Sequence, residues 1–183
     1  MTYKHMKINT IIITQSFFPI EGGIQTYMKE IAQKWSLGNI SVFTDIVKEK
    51  KIVDTVKVYR IPFDSNSYWR SLSTIVNNIL FKGRENLQGK ILLFLLFLSK
   101  RTALLKVAEL SKSVYNEVKH EKIQIVQSSV PIYSGIVGLV LKFSLGIKLM
   151  VYVHGSELLI HNSDLRMRLF MKLVLKNADM IIA

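Results

Sequence analysis

The stretch Thr10-Ile11-Ile12-Ile13-Thr14-Gln15-Ser16-Phe17-Phe18-Pro19-Ile20-Glu21-Gly22-Gly23-Ile24-Gln25-Thr26-Tyr27 decides the fold. Residues 7–14 are β-branched and almost continuously apolar, which suits a strand buried on both faces. A loop follows through Gly22-Gly23. From there apolar residues fall at Ile24, Tyr27, Met28, Ile31, Ala32 and Trp35, a helical spacing with one buried stripe. Gly38 is expected to end that helix. Strand, glycine turn and amphipathic helix, in that order, open a parallel sheet covered by helices.

The alternation continues along the chain. Residues 40–44 and 56–61 read as strands, the second stopped by Pro62. Residues 65–119 read as two or three helices broken near Gly83 and Gly89. Residues 123–130 form another strand, after which Pro131 is expected to open an apolar helix reaching about Leu145, since proline suits a first helical turn. Residues 148–153 are a strand stopped by His154-Gly155. Leu165, Leu169, Phe170, Leu173 and Val174 mark a last helix starting near Ser163 or Asp164, and Met180-Ile181-Ile182-Ala183 begins a final strand. The predicted fold class is α/β, a Rossmann-like doubly wound parallel sheet. Such sheets gather ligands beyond the carboxyl ends of their strands. Pro19, Pro62, Pro131, the glycine pair and His154 all fall just past strand ends.

With 183 residues, 49% of them apolar and 21% charged, the chain has material for one domain with a real core, which excludes global disorder. It contains no cysteine. That excludes a disulfide framework, a thiolate zinc site and a cysteine nucleophile, and it fits a reducing compartment. Lysine and arginine number 25 against 13 acids, for a formal charge of +12, which points to an anionic partner: phosphate, nucleic acid or a lipid surface. The basic N-terminus could pass for the start of a signal peptide. The apolar run after it is only Ile11-Ile12-Ile13, followed by Gln15, Ser16 and Pro19 with no small-residue cleavage site. The longest apolar run, residues 91–98, is closed by Lys100 and Arg101. It falls well short of the roughly 20 residues a bilayer span needs.

Two features carry chemistry. Gly22-Gly23 precedes a helix that follows the first strand. Glycines permit positive φ and let a backbone approach a ligand, and a helix N-terminus offers free N–H groups with a partial positive charge. Together they make a cradle for phosphate or carboxylate. The same residues also suit a tight turn with no ligand. Neither Gly-x-Gly-x-x-Gly nor Gly-Lys-Ser/Thr occurs there, so a dinucleotide fingerprint and a triphosphate P-loop are both missing. His154 leaves the sheet at the same edge, where an imidazole could donate to a sugar hydroxyl or phosphate, or bond backbone within the turn. Glu157 reads as a helix-start acid or a site carboxylate. No His, Asp or Glu spacing resembles a metal site.

Residues 65–112 hold eight basic side chains against Glu85 and Glu109, interleaved with large apolar groups. Trp69, Arg70, Lys82, Arg84, Lys90, Lys100 and Arg101 are the candidates for docking on an anionic membrane interface. Ordinary helices with solvated lysines are the other reading. No recognised nucleic-acid motif is present, and nucleic acid is not an expected partner.

Phe17-Phe18-Pro19-Ile20-Glu21-Gly22-Gly23-Ile24-Gln25-Thr26-Tyr27 with Ile31-Ala32, His154-Gly155-Ser156-Glu157-Leu158, and Asn177-Ala178-Asp179-Met180-Ile181-Ile182-Ala183 together resemble the N-terminal domain of a GT-B glycosyltransferase. The family is the large retaining one, glycosyltransferase family 4-like, typified by lipopolysaccharide, phosphatidylinositol mannoside and sucrose-phosphate glycosyltransferases. The resemblance spans nearly the whole chain and is weakest over residues 65–119. It implies that residues 1–183 are the acceptor-side Rossmann-like half, cut short at its C-terminal edge, with the donor-binding domain and its glutamate pair absent. Gly22 and Gly23 would approach the donor diphosphate, and His154 would lie beside the transferred sugar. Gln25, Ser129 and Glu157 are the acceptor-side candidates. The co-substrate is a nucleotide-sugar, with no metal or other cofactor expected.

The implied partners are that donor, a lipid-linked or envelope glycan acceptor, and a donor-domain chain if the enzyme is split. The implied location is the cytoplasm, peripheral on the inner membrane face. Such a half would be inactive alone. One departure is plain: where the family often carries Asp and His, this chain has Gln124, Gln127, Ser128 and Ser129. Two rivals stand beside this reading. One is a non-catalytic remnant or accessory subunit that binds membrane or a partner. The other is a dinucleotide-dependent sugar-modifying enzyme, against which the missing third glycine counts.

Overall fold

The computed structural model describes residues 7–45, 56–61, 101–118, 121–155 and 164–183. Along them run β1 (Thr10–Ile13), α1 (Gly23–Lys34), β2 (Ile40–Asp45), β3 (Lys57–Ile61), α2 (Arg101–Val118), β4 (Ile125–Ser128), α3 (Ser134–Leu145), β5 (Lys148–Tyr152), α4 (Leu165–Asn177) and β6 (Met180–Ile182). The strands form one sheet in the order β3-β2-β1-β4-β5-β6, and every pairing is parallel. Thr10 stands opposite both Ile40 and Ile125, and Ile13 opposite both Phe43 and Ser128. The strand order reverses between β1 and β4, the switch point at which such sheets open a crevice.

The sheet is covered on both faces, as the strand sequences require. Side chains alternate along a strand, so consecutive isoleucines of β1 feed opposite layers. Ile11 and Ile13 join Phe43, Val126, Leu149 and Val151 beneath α2, α3 and α4. Ile12 joins Val42 and Tyr152 beneath Met28 and Ala32 of α1. Each such isoleucine, removed from water, contributes roughly 1.5–3 kcal/mol. α3 lies between α2 and α4, and its residues from Ser134 through Leu141 are all buried, which explains why its sequence is apolar all round. The α/β class and the doubly wound parallel sheet are as expected from the sequence.

Two boundaries differ from expectation. α1 ends at Lys34, with Trp35 already extended, so Gly38 does not terminate it. Gly38 instead lies against Ile8, whose N–H donates to the Leu37 carbonyl at 2.8 Å, and a Cβ there would collide with the Ile8 backbone. Pro131 does not open α3. The helix starts at Ser134, because the turn before it closes on Ser134 itself. The Ser134 hydroxyl donates to the Val130 carbonyl at 2.9 Å, accepts from the Val130 N–H at 3.2 Å and meets the Ser128 hydroxyl at 2.9 Å. Tyr133 closes this turn at φ 60°, a costly conformation for an aromatic residue, and it stands at the carboxyl edge of the sheet. The helices expected within residues 65–100, and with them Trp69, Arg70, Lys82, Arg84, Lys90 and Lys100, lie outside the described residues, as does Glu157; Arg101 is the first residue of α2.

Candidate functional site

α1 begins at Gly23, with Gly22 before it in extended backbone at φ 166°. Neither glycine uses the left-handed region, so the expected conformational reason for the pair is corrected. Space is the reason that remains. A Cβ on Gly22 would run into the Gln25 side-chain amide, whereas one on Gly23 would meet nothing within 4 Å. The chain's own packing therefore does not demand glycine at position 23. No side chain caps α1, and no acidic residue stands in its first turn. The first N–H groups of a helix have no intrahelical acceptor, and no side-chain cap meets them here, so the positive end of α1 lies beside an unhindered glycine. The Gln25 amide lies against Gly22 and donates to the Ser16 hydroxyl, tying the loop after β1 to α1.

β5 ends at Tyr152, and the chain turns at Gly155, whose φ of 83° does favour glycine. His154 stands between them, at the carboxyl edge of the sheet. Its Nε2 lies 3.0 Å from the Ser129 carbonyl, which can only accept, so that nitrogen carries the proton. In the neutral ring Nδ1 is then an acceptor, suited to a sugar hydroxyl. Ser129 is tied in turn to β1, donating its N–H to the Ile13 carbonyl at 3.0 Å. Tyr27 of α1 packs edge-on against His154, with ring centroids 5.8 Å apart, and against Tyr152 at 5.7 Å. Residues four apart share a helix face, so Gly23 and Tyr27 stand one turn apart on the same side of α1. The glycine, the tyrosine and the imidazole thus line one rim over β1, β4 and β5.

Beneath the rim runs a buried polar chain. The Tyr152 hydroxyl donates to Gln127 Oε1 at 2.8 Å, Gln127 Nε2 donates to the Thr10 hydroxyl at 3.2 Å, and Thr10 donates to the Ile125 carbonyl at 3.1 Å. Burial, and then the neighbouring Tyr27, push the Tyr152 phenol up to about 12. Sequence reasoning missed this chain and the contact of Tyr27 with His154. Gln127 as a lone amide within an apolar strand was the available signal for the first. The four-residue spacing from Gly23 to Tyr27 was the signal for the second.

The acceptor-side candidates separate. Gln25 lines an open groove of about 340 Å3 with Phe18, Ile20, Glu21, Gly22, Thr26, Lys29 and Glu30. Lys29 holds its ammonium 4.1 Å over the Phe18 ring, and Arg60 donates to the Phe18 carbonyl at 2.8 Å. Ser129 is buried and offers His154 its carbonyl, not its hydroxyl. Among the described residues no group of three or more His, Cys, Asp or Glu could hold a metal ion, and no helix is long and apolar enough to cross a membrane. No protein-family model matches the chain, and no curated protein matches it.

Proposed function

We propose that this chain is the acceptor-side half of a retaining GT-B glycosyltransferase that moves a sugar from a nucleotide-sugar to a lipid-linked or envelope glycan at the inner face of the cell membrane. One observation carries the reading. An unhindered glycine at an uncapped helix start and an imidazole held by a carbonyl share one rim at the switch point of the sheet.

The two parts suit the two charges of glycosyl transfer. When the bond from the anomeric carbon to the diphosphate breaks, negative charge grows on the leaving oxygens. The N–H groups of the first turn of α1 and the helix dipole stabilise that charge, and Gly23 lets the diphosphate come close. The acceptor hydroxyl oxygen forms the new bond to the same carbon, on the face the diphosphate leaves, and its proton goes to the departing diphosphate. His154, fixed by Ser129 and Tyr27, accepts a hydroxyl of the transferred sugar at Nδ1 and holds the ring in place. The groove beside Gln25, with its lysine, glutamates and aromatic ring, is a surface for a polar acceptor.

The test is to join the chain to a matched donor-binding domain and follow transfer from a labelled nucleotide-sugar. Transfer that is lost in Gly23→Asp and in His154→Ala, with folding intact, supports the reading. Transfer unchanged in both variants removes it, and binding of a nicotinamide dinucleotide in place of a nucleotide-sugar would favour the dinucleotide rival.

A further inference from the structure

α4 presents to solvent a face that the fold does not account for. Phe170, Met171 and Val174 enter the core. On the opposite side Leu165 and Leu169 are 61% and 42% exposed. Arg168, Lys172 and Lys176 are exposed as well. The spacing i, i+3, i+4, i+7 and i+11 puts Leu165, Arg168, Leu169, Lys172 and Lys176 in a single stripe. The helix has no acidic residue. Asp164, just before it, is engaged by the N–H groups of Arg166 and Met167 and by the Arg166 side chain at 3.6 Å. Among the described residues Arg168, Lys172 and Lys176 take part in no ion pair.

We infer that this stripe docks on an anionic lipid bilayer. The pattern is that of a helix lying in the interface, with leucines at the acyl boundary and long cationic side chains reaching to headgroup phosphates. Charge complementarity selects the occupant. The stripe carries three cations and no anion, so a second copy meeting it face to face would set like charges against each other. A nucleic-acid backbone would satisfy the cations and leave the two leucines without a partner. Direction adds a further reason. α4 connects the parallel strands β5 and β6 and so runs against them, which puts Leu165 and Leu169 at the end of the helix nearest the rim that holds His154. Docked in this way, the rim opens close beside the surface from which a lipid-linked acceptor arrives. The inference rests on the membrane part of the proposed function, and it moves the contact to an element beyond residues 69–101.

Flotation of the whole chain with vesicles tests it. Phosphatidylcholine–phosphatidylglycerol vesicles are compared with phosphatidylcholine alone, at low and high salt. Binding to the anionic vesicles that weakens with salt is expected. At about fivefold per cation, Arg168→Gln/Lys172→Gln/Lys176→Gln should lower partitioning on the order of a hundredfold. Leu165→Ser/Leu169→Ser should lower it about tenfold or more. All five positions are exposed, and an unchanged circular dichroism spectrum confirms folding. If both variants bind like the parent while Arg84→Gln/Lys90→Gln/Lys100→Gln does not, the stripe is overturned and the membrane part of the function stands. If the parent ignores anionic vesicles, both fall, and the sugar-transfer assay still judges the rim separately. A parent dimer that the leucine variant splits, or tighter binding to single-stranded RNA that the cation variant abolishes, also overturns the inference.

Discussion

The edge of the Tyr27 ring meets the His154 ring with centroids 5.8 Å apart and planes at 84°. One residue comes from the second turn of α1 and the other from beyond β5, so the contact joins elements far apart in sequence. It leaves His154 with a ring on one side and the Ser129 carbonyl at 3.0 Å on another. In a chain joined to a donor half, His154→Ala is expected to lower kcat on the order of a hundredfold, the scale of losing one preorganised polar group. Tyr27→Ala should lower it by up to about tenfold, since an aromatic pair contributes about 0.5–1.5 kcal/mol. Tyr27→Phe should keep most activity, because the ring and not the hydroxyl makes the contact. Steady-state kinetics decide it: a Tyr27→Phe loss as large as that of Tyr27→Ala would argue against packing as the role.

Glycines 23 and 38 should respond in opposite ways. A methyl group on Gly23 enters open space, whereas one on Gly38 strikes the Ile8 backbone, which cannot swing aside as a side chain can. Gly23→Ala should keep or slightly raise the melting temperature, by restricting the unfolded chain, while reducing sugar transfer in the joined enzyme. Gly38→Ala should cost about 1–3 kcal/mol through overpacking. At roughly 2–4 °C per kcal/mol for a chain of this size, a thermal melt resolves the difference. A melting temperature that falls equally in both variants would make Gly23 a folding glycine and weaken its assignment to the site.

The sheet was legible because its central strands are buried on both faces. The run at Ile11, Ile12 and Ile13 has no room for a polar exception, and the 3.6-residue stripe of α1 follows it directly. Shared placement of Gly23 and His154 on one rim was legible for a related reason: in a parallel sheet every strand end of one kind lies on one edge. What holds His154 was not legible. Tyr27 fits the apolar stripe by spacing, yet it is 44% exposed, for it meets the Tyr152 and His154 rings only edge-on at the rim of the sheet. α3 starts at Ser134 and not at Pro131 because hydrogen bonds of Ser128 and Ser134 to Val130, not proline geometry, shape the turn. The aspartate of Asn177-Ala178-Asp179 joins the Lys142 ammonium of α3 to the Leu149 N–H of β5, a tertiary role that no local pattern signals.

Alkaline stability should report the chain of Tyr152, Gln127 and Thr10. With the folded phenol up to about 12, Tyr152 keeps its proton in the native protein over a range in which an unfolded tyrosine, near 10, has lost it. The native state then binds more protons than the unfolded state, so stability falls as pH rises. The contribution is full below about pH 10 and gone above about pH 12, and a shift of this size corresponds to about 2–3 kcal/mol. Tyr152→Phe should lose about 1–3 kcal/mol at neutral pH, because Gln127 Oε1 is left buried without its donor. Its loss on going from pH 10 to 12 should be smaller than the parent's. Urea unfolding of both proteins across that range gives the difference, with other lysines and tyrosines cancelling between them.

Acid stability should report Asp179. One carboxylate oxygen accepts from the Leu149 N–H at 2.7 Å and from the Lys142 ammonium at 2.6 Å, while the Asp179 N–H donates to the Leu149 carbonyl at 2.8 Å. Lys142 also reaches the Asn177 carbonyl at 2.8 Å. The end of α4, the start of β6 and the last turn of α3 are thus pinned to β5. Partial burial works to raise the carboxyl, but Lys142 and the Leu149 N–H outweigh it and hold the group below its ordinary value of 3.8. As pH falls, the unfolded chain takes up its proton first, so the unfolded state binds more protons and stability drops with pH. The contribution is fully present above the unfolded value and lost as pH falls through the lower folded one. Asp179→Ala should cost about 1–2 kcal/mol near neutrality, the worth of charged hydrogen bonds reduced for partial exposure. That penalty should shrink between neutrality and an acidity below the ordinary carboxylate range, as the parent takes up the proton and loses the same bonds. Denaturant unfolding of both proteins at the two acidities measures it. A gap between them that stays constant with pH would mean that the aspartate acts by shape and not by charge.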